Sequence, residues 1–241
     1  MNLWCLHGNL QQPSVWHPFK NCWSYQGKPL ALKCPSLWRN PATDFTSWTN
    51  HFTNSVAAIA DNQSQWLLGY SLGGRLALHA ACSQPSLWTG VVVIGAHPGY
   101  QTQSERKKQL AWDTKWAGRF SNEPWEILLE EWNELPVFGG IPNPTKPDLN
   151  TFDRRKVAAT FTRFSKGQQS YLIPALSALQ TPPILYITGE KDTRYHTIGQ
   201  MLQTHCPTVQ HVVIPNACHR VPWENTPAFI KIIQVFLDQT P

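Results

Sequence analysis

Ser71 stands at the centre of Gly69-Tyr70-Ser71-Leu72-Gly73, a G-x-S-x-G pattern within LLGYSLGGRLAL at Leu67–Leu78. The run Trp66–Leu68 before it is apolar and the segment from Arg75 onward favours helix. That combination predicts a strand turning into a helix within two residues, with the serine on the tip. A Cβ at either flanking glycine would clash in so tight a bend. A serine hydroxyl reacts only when a histidine takes its proton and an acid orients that histidine. In sheets carrying this elbow the acid and then the histidine follow the serine, each on a loop beyond a strand's carboxyl end.

Asp192 fits the acid. It ends Gly189-Glu190-Lys191-Asp192, directly after the strand-like ILYITG, and lies 192 − 71 = 121 residues beyond the serine. Glu190 is the local competitor but sits closer to the strand end. Among nine histidines, His219 fits the base, because it follows a strand ending at Ile214 and the turn Pro215-Asn216-Ala217-Cys218. His211 falls within that strand, and His196 shares the loop of Asp192. Negative charge developing on a substrate needs backbone N–H donors. The expected pair is the amide of Leu72 and that of Asn9, in the loop His7-Gly8-Asn9-Leu10 after the first strand, which His7 would brace. Arg75 lies one helical turn beyond Ser71. It can hold a ligand carboxylate through charge-assisted hydrogen bonds, or pair with an internal acid, and spacing leaves both open.

The elements that must position these groups alternate. Strands are predicted at Asn2–Leu6, Pro29–Cys34, Gln65–Tyr70, Gly90–Gly95, Ile184–Gly189 and Val209–Ile214. Helices are predicted at Asp44–Ala60, with Phe45, Trp48, Phe52, Val56 and Ile59 at helical spacing, then from Arg75 to about Ser83, at Thr197–Cys206 and at Pro227–Leu237. The alternation implies right-handed crossovers and a mostly parallel sheet, an α/β fold. Between Pro98 and Thr181 no strand signal occurs. Helices are expected there at Ser104–Phe120, Pro124–Glu134 and Arg154–Phe164, with a Pro-laden loop at 139–150 and a helix over Gln169–Leu179 broken at Pro174. Inserted between two sheet strands, residues 98–181 would form a helical lid on a single domain spanning 1–241.

The composition excludes several function classes. With 41% hydrophobic and 15% charged residues the chain is globular. Its net charge of +5 comes without the Lys/Arg blocks of nucleic-acid binders, and fits an acidic small molecule as well as a slightly basic surface. No apolar run approaches the ~18 residues of a membrane span. Six cysteines without a C-x-x-C pair read as reduced thiols of a cytoplasmic protein. Nothing calls for a metal or an organic cofactor, and the oligomeric state is open.

GYSLGGRLAL, GAHPGYQ at Gly95–Gln101, the charged helix leading to Asp113 and Trp116, EEWNELPVF at Glu130–Phe138, GEKD, and the His219 loop with Glu224-Asn225 together resemble a known family. It is the 2-succinyl-6-hydroxy-2,4-cyclohexadiene-1-carboxylate synthase (SHCHC synthase, MenH) family of the α/β-hydrolase fold. The resemblance covers nearly the whole chain. It implies a lyase that eliminates pyruvate from 2-succinyl-5-enolpyruvyl-6-hydroxy-3-cyclohexene-1-carboxylate on the way to menaquinone or phylloquinone. Ser71, Asp192 and His219 would then abstract a proton, and the polycarboxylate substrate would engage Arg75 and Arg163, with Tyr70 and Trp132 lining the pocket. The sequence departs from the family where an arginine is usual four residues before Asp113, since Gln109 stands there. Arg106, Lys107 or Lys108 would have to replace it. Cys218 takes the place of a usual glycine, and the antiparallel strands that open a full α/β hydrolase are not evident. A carboxylesterase or thioesterase with Ser71 as acyl nucleophile is the alternative from the same fold, and a catalytically silent binding protein is a third reading.

Overall fold

The computed structural model describes residues 1–39, 42–61, 63–145 and 147–241, and the backbone but not the side chain of Thr151. Lys146, in the Pro-rich loop, lies outside the described residues. Strand β1 (Asn2–Leu6) is followed by a 3-10 segment, Pro13–Phe19, and a small antiparallel pair, β2 (Ser24–Tyr25) and β3 (Lys28–Pro29). Then come β4 (Ala31–Lys33), α1 (Phe45–Ala57), β5 (Gln65–Tyr70), α2 (Leu72–Ser83) and β6 (Gly90–Ile94). After β6 the chain runs through α3 (Gln103–Asn122), α4 (Trp125–Asn133), α5 (Arg154–Arg163) and α6 (Ile173–Ser177). It closes with β7 (Ile184–Gly189), α7 (Thr193–His205), β8 (Val209–Ile214), α8 (Val221–Glu224) and α9 (Thr226–Gln239).

Six strands form one sheet in the order β4-β1-β5-β6-β7-β8, and every neighbouring pair is parallel. Strands β5, β6 and β7 are buried at every residue, which is why QWLLGY, GVVVI and ILYITG read as apolar runs instead of alternating. Below one face, α1, α2, α6 and α7 pack on Leu67, Val91, Val93 and Tyr186. Over the other, the Pro13–Phe19 segment and α9 enclose Leu68, Val92, Leu185 and Ile187. Helix α1 begins at Asp44, whose carboxylate accepts the Ser47 N–H at 2.7 Å while Ser47 returns a bond to the Asp44 N–H. Such a capping box contributes about 1 kcal/mol.

Among the described residues no strand lies between Ile94 and Ile184, in line with the all-helical insertion expected there. The insertion has its own aromatic core of Trp116, Phe120, Trp125, Leu128 and Phe161, which also takes in Leu10 and Trp38 from the body. Trp38 donates to the Gln11 carbonyl at 2.6 Å and lies against His7, so the insertion rests on the loop that follows β1.

Three expectations change. Gln169–Leu179 is not one broken helix. Residues 165–172 carry no helix, with a turn at 166–168 and irregular backbone around it, and Pro174 sits in the first turn of the short α6, where its missing N–H costs nothing. The predicted strand Pro29–Cys34 divides, with Pro29 in the small pair and only Ala31–Lys33 in the main sheet. Ile59 lies beyond the end of α1 and is 55% exposed, so the apolar stripe of that helix ends at Val56. Among the described residues no helix is long and apolar enough to cross a membrane.

Candidate active site

Ser71 adopts φ 52°, ψ −106°, a conformation a non-glycine residue takes only when its surroundings impose it. The surroundings are the last residue of β5, whose path is fixed in the sheet, and the first turn of α2. The Ser71 N–H donates to the Ile94 carbonyl at 2.8 Å, and the Gly73 N–H donates to the His7 carbonyl at 3.1 Å. A Cβ on Gly73 would lie 2.2 Å from the Leu6 carbonyl oxygen, and one on Gly69 would lie 2.3 Å from that of Gly73. Gly73 therefore permits backbone on backbone packing of α2 against the end of β1, and Gly69 that of β5 against the first turn of α2.

His219 is brought to Ser71 by the loop after β8. Its Nε2 lies 3.2 Å from the Ser71 Oγ and its Nδ1 lies 2.7 Å from the Asp192 Oδ2. An ionised carboxylate only accepts, so Nδ1 carries the proton and Nε2 is left to accept from the serine hydroxyl. Asp192 is itself fixed as the N-cap of α7, accepting the Tyr195 N–H through Oδ1 at 3.3 Å. All three groups are at the carboxyl ends of their strands, and His219 and Asp192 are buried. Glu190, the competitor, accepts the Asn216 N–H instead. His196 and His211 lie against each other, and His211 bonds the Thr188 hydroxyl, so neither reaches the serine.

The imidazole of His219 needs space that sequence reasoning did not foresee. Gly95, just after β6, has φ 54°, and a Cβ there would lie 2.8 Å from the His219 Cε1. The signal was the glycine closing GVVVIG. Tyr195, Tyr70 and Phe138 enclose the ring on other sides. Arg220, also unforeseen, stacks on Phe138 at 3.6 Å and donates to Asn133 Oδ1 and to the Ile141 carbonyl. It ties the histidine loop to the insertion.

The loop after β1 is braced as expected. His7 Nε2 accepts the Leu37 N–H at 3.1 Å, its Nδ1 lies 2.9 Å from the Gly8 carbonyl, and burial lowers its pKa to about 4. His7 is thus a neutral strut. The Gly8 N–H goes to the Gln11 side chain, whereas among the described residues no protein acceptor takes the N–H of Asn9 or Leu72.

Arg75 is buried in α2, its guanidinium over the Phe45 ring and its Nη1 donating to the Phe164 carbonyl. Among the described residues it makes no direct ion pair, although Asp113 lies near enough to act on its charge. Asp113 bonds Ser165 Oγ at 2.6 Å and Gln109 Nε2 at 3.0 Å, and burial raises its pKa.

Other expected binding residues are placed differently. Tyr70 is buried beneath His219 against Trp223, in the core on the far face of the sheet. Trp132 packs among Trp112, Trp116, Phe138 and Phe161, inside the insertion. Tyr70 is a buried packing residue, whereas Trp132 is half-buried at the edge of the insertion's aromatic cluster. Arg106 donates through Nη2 to the Gln169 carbonyl at 2.6 Å, with its Nε buried, and so is spent on holding residues 165–172; Lys107 and Lys108 are exposed. None of these three replaces the arginine that Gln109 lacks. Arg163, at the end of α5, is half-buried, and its side chain makes no hydrogen bond or ion pair among the described residues.

Residues 22–130 match the family model described as the alpha/beta hydrolase fold. The chain is 20% identical to the structure of MenH from S. aureus, covering 98% of this chain and 93% of that one, with a TM-score of 0.85. At that identity the likeness establishes the fold. It is 34% identical over 177 residues to the 2-succinyl-6-hydroxy-2,4-cyclohexadiene-1-carboxylate synthase of Photorhabdus laumondii, spanning 71% of this chain and 62% of that protein. Against the protein of that name from Escherichia coli O1:K1 the values are 33% over 175 residues, 71% and 68%. The chain belongs to the SHCHC synthase family. As a member of that family it keeps the parallel α/β-hydrolase sheet and the helices between β6 and β7. All six cysteines are free, and among the described residues no group of three or more His, Cys, Asp or Glu side chains could hold a metal ion.

Proposed function

We propose that this chain is a carbon–oxygen lyase that eliminates pyruvate from 2-succinyl-5-enolpyruvyl-6-hydroxy-3-cyclohexene-1-carboxylate to give 2-succinyl-6-hydroxy-2,4-cyclohexadiene-1-carboxylate. The product serves menaquinone synthesis or, in photosynthetic organisms, phylloquinone synthesis, and free thiols suit a cytoplasmic enzyme. One observation carries the reading. An aligned Ser71–His219–Asp192 relay stands one helical turn from a buried guanidinium that makes no direct ion pair among the described residues. A neutral ester has no use for that charge, whereas a polycarboxylate does.

In this mechanism Ser71 Oγ passes its proton to His219 Nε2 as it takes one from a ring carbon of the substrate. The electron pair left behind becomes a ring double bond, the C–O bond to the enolpyruvyl group breaks, and that group takes up a proton on carbon to leave as pyruvate. Asp192 stabilises the transient imidazolium. The N–H groups of Leu72 and Asn9 hold the enolate-like charge. Arg75 and Arg163 bind substrate carboxylates, and residues 98–181 form the lid of a single domain.

The test is to supply the enolpyruvyl substrate and, separately, nitrophenyl esters to the purified protein, following pyruvate and nitrophenol. Pyruvate release with little ester cleavage is expected; rapid ester cleavage without pyruvate would refute the lyase reading. Arg75→Gln should raise KM for the enolpyruvyl substrate roughly 10- to 100-fold, since a charge-assisted bond is worth ~1.5–3 kcal/mol. Slow hydrolysis of a neutral ester should change far less, and equal losses in both would mean that Arg75 serves only to hold the Phe164 carbonyl.

A further inference from the structure

Gln109 leaves the site one cation short of its family, and the structure shows what surrounds that position. Gln109 is held at both ends of its amide, donating to Asp113 Oδ1 at 3.0 Å and accepting the Tyr100 hydroxyl at 3.1 Å. With its proton turned to Gln109, the Tyr100 oxygen accepts Arg194 Nη2 at 2.7 Å. A neutral amide and a phenol thus hold a guanidinium from the first turn of α7, two residues past Asp192. On the other side of Asp113, its Oδ2 accepts the Ser165 hydroxyl, which in turn accepts the Gly167 N–H at 3.0 Å. Lys166, between those two residues, is pinned by its own backbone neighbours, while its ammonium makes no hydrogen bond or ion pair among the described residues.

His97 closes the group. Its Nδ1 accepts the Gly99 N–H at 3.1 Å, so its proton sits on Nε2 as a donor, and its carbonyl accepts Gln169 Nε2. Burial, then Lys166, Arg194 and Arg75, hold its pKa down to about 3, so it stays neutral and adds no acid. Three cations from three segments, Arg75, Lys166 and Arg194, therefore lie close enough to act on one another, with Asp113 the carboxylate beside Arg75 and Lys166 and Asp192 the one nearest Arg194. Arg75 is buried and Lys166 half-buried, burial disfavours the charge on both, and the exposed Arg194 adds a like charge at the mouth, so an entering anion relieves the arrangement.

We propose that Lys166 and Arg194 form an anion subsite that binds the ligand carboxylate left without a cation by Gln109, with the His97 Nε2–H as a third donor. The assignment rests on the polycarboxylate reading above and deepens it. Two consequences distinguish this subsite from a structural cluster. Burial first, and then Arg194 and Arg75, lower the Lys166 pKa to about 7 against the opposing pull of Asp113. A bound carboxylate favours the charged form, so binding takes up a proton. Affinity should be flat below pH 7 and weaken as pH rises through 7 toward the higher pKa of the bound state. The folded-state pKa lies below the unfolded one, so the protonated ammonium also costs stability, fully below pH 7 and progressively less as pH rises. Lys166→Met should therefore melt higher than the parent at pH 6.5.

The experiment pairs calorimetric binding of tricarballylate, a simple tricarboxylate, with KM and kcat for pyruvate release. In Lys166→Met and in Arg194→Gln, tricarballylate affinity at pH 6.5 should fall at least 10-fold and KM should rise similarly, with kcat within about 3-fold. The parent should lose affinity between pH 6.5 and 8.5, Lys166→Met should not, and Lys166→Arg should keep tight binding at both values. Parent-like KM and affinity in both variants would overturn the subsite while leaving the lyase reading intact. Lys166-dependent tricarballylate binding without pyruvate release would leave the subsite and overturn the lyase. If the parent releases pyruvate but does not bind tricarballylate, unchanged KM in the variants overturns the subsite and a raised KM supports it.

Discussion

His219→Ala is expected to lower kcat for pyruvate release by ~10²–10⁴, the usual span for removing a positioned general base. The geometry places the whole burden on this imidazole. Its Nε2 is the acceptor 3.2 Å from Ser71 Oγ, and the alternatives His196 and His211 are engaged with each other elsewhere. Substrate affinity should change little, because the cations that bind carboxylates are on other elements. Ser71→Ala should lose a comparable factor, and the double variant should lose little more than either alone, since the two act as one relay. Asp192→Asn would remove the carboxylate that keeps the proton on Nδ1 and should also be severe. Steady-state pyruvate release checks all four, and a His219→Ala rate within threefold of the parent would show that the relay does not transfer the proton.

Gly73→Ala is expected to be severely damaging to both stability and the serine's placement. The added methyl would stand 2.2 Å from the Leu6 carbonyl oxygen and 2.7 Å from that of His7, both backbone atoms that cannot rotate away. Relief requires α2 to move off β1, which breaks the 3.1 Å bond from the Gly73 N–H to His7 and shifts the Ser71 tip against the Asn9 loop. A loss of at least ~4 kcal/mol is expected, in the class of exceptional single-site effects. Thermal unfolding should show a fall of roughly 10 °C or more. Gly118→Ala is the control. That residue lies inside α3 with nothing within 4 Å of an added Cβ, so the change should stabilise by about 0.5–1 kcal/mol through helix propensity. A Gly73→Ala protein as stable as the parent would mean that the elbow is looser than its contacts indicate.

Much of this molecule is legible in its sequence because the physics involved is local. Buried parallel strands must be continuously apolar, and QWLLGY, GVVVI and ILYITG are. The chain order of serine, acid and histidine follows from the order of strands, and the structure brings Ser71, Asp192 and His219 within hydrogen-bonding reach. Thr102 and Glu105 form a capping box that starts α3 at Gln103, one residue before the expected Ser104. Where periodicity stops, legibility stops. Residues 165–172 carry no helix and are held by side chains from elsewhere, so nothing in SKGQQSYL marks Lys166 as a pocket cation or Ser165 as a partner of Asp113.

The same divide separates the charges. From sequence, Arg106, Lys107 and Lys108 are the cations nearest Gln109, and all three are one helical turn or less away. In the fold, Arg106 turns to the Gln169 carbonyl and the other two face outward, because a helix shows only one face to the site. Arg194 reaches Gln109 through Tyr100 from a helix 85 residues further along, a proximity created only by the packing of α7 beside the loop after β6. The amino-acid sequence by itself determined the sheet, the elbow and the reacting trio, since each depends on short-range patterning and strand order. The tertiary structure alone decided which charges gather around Gln109 and Asp113, because side-chain direction in an insertion without strands is set by contacts across the fold.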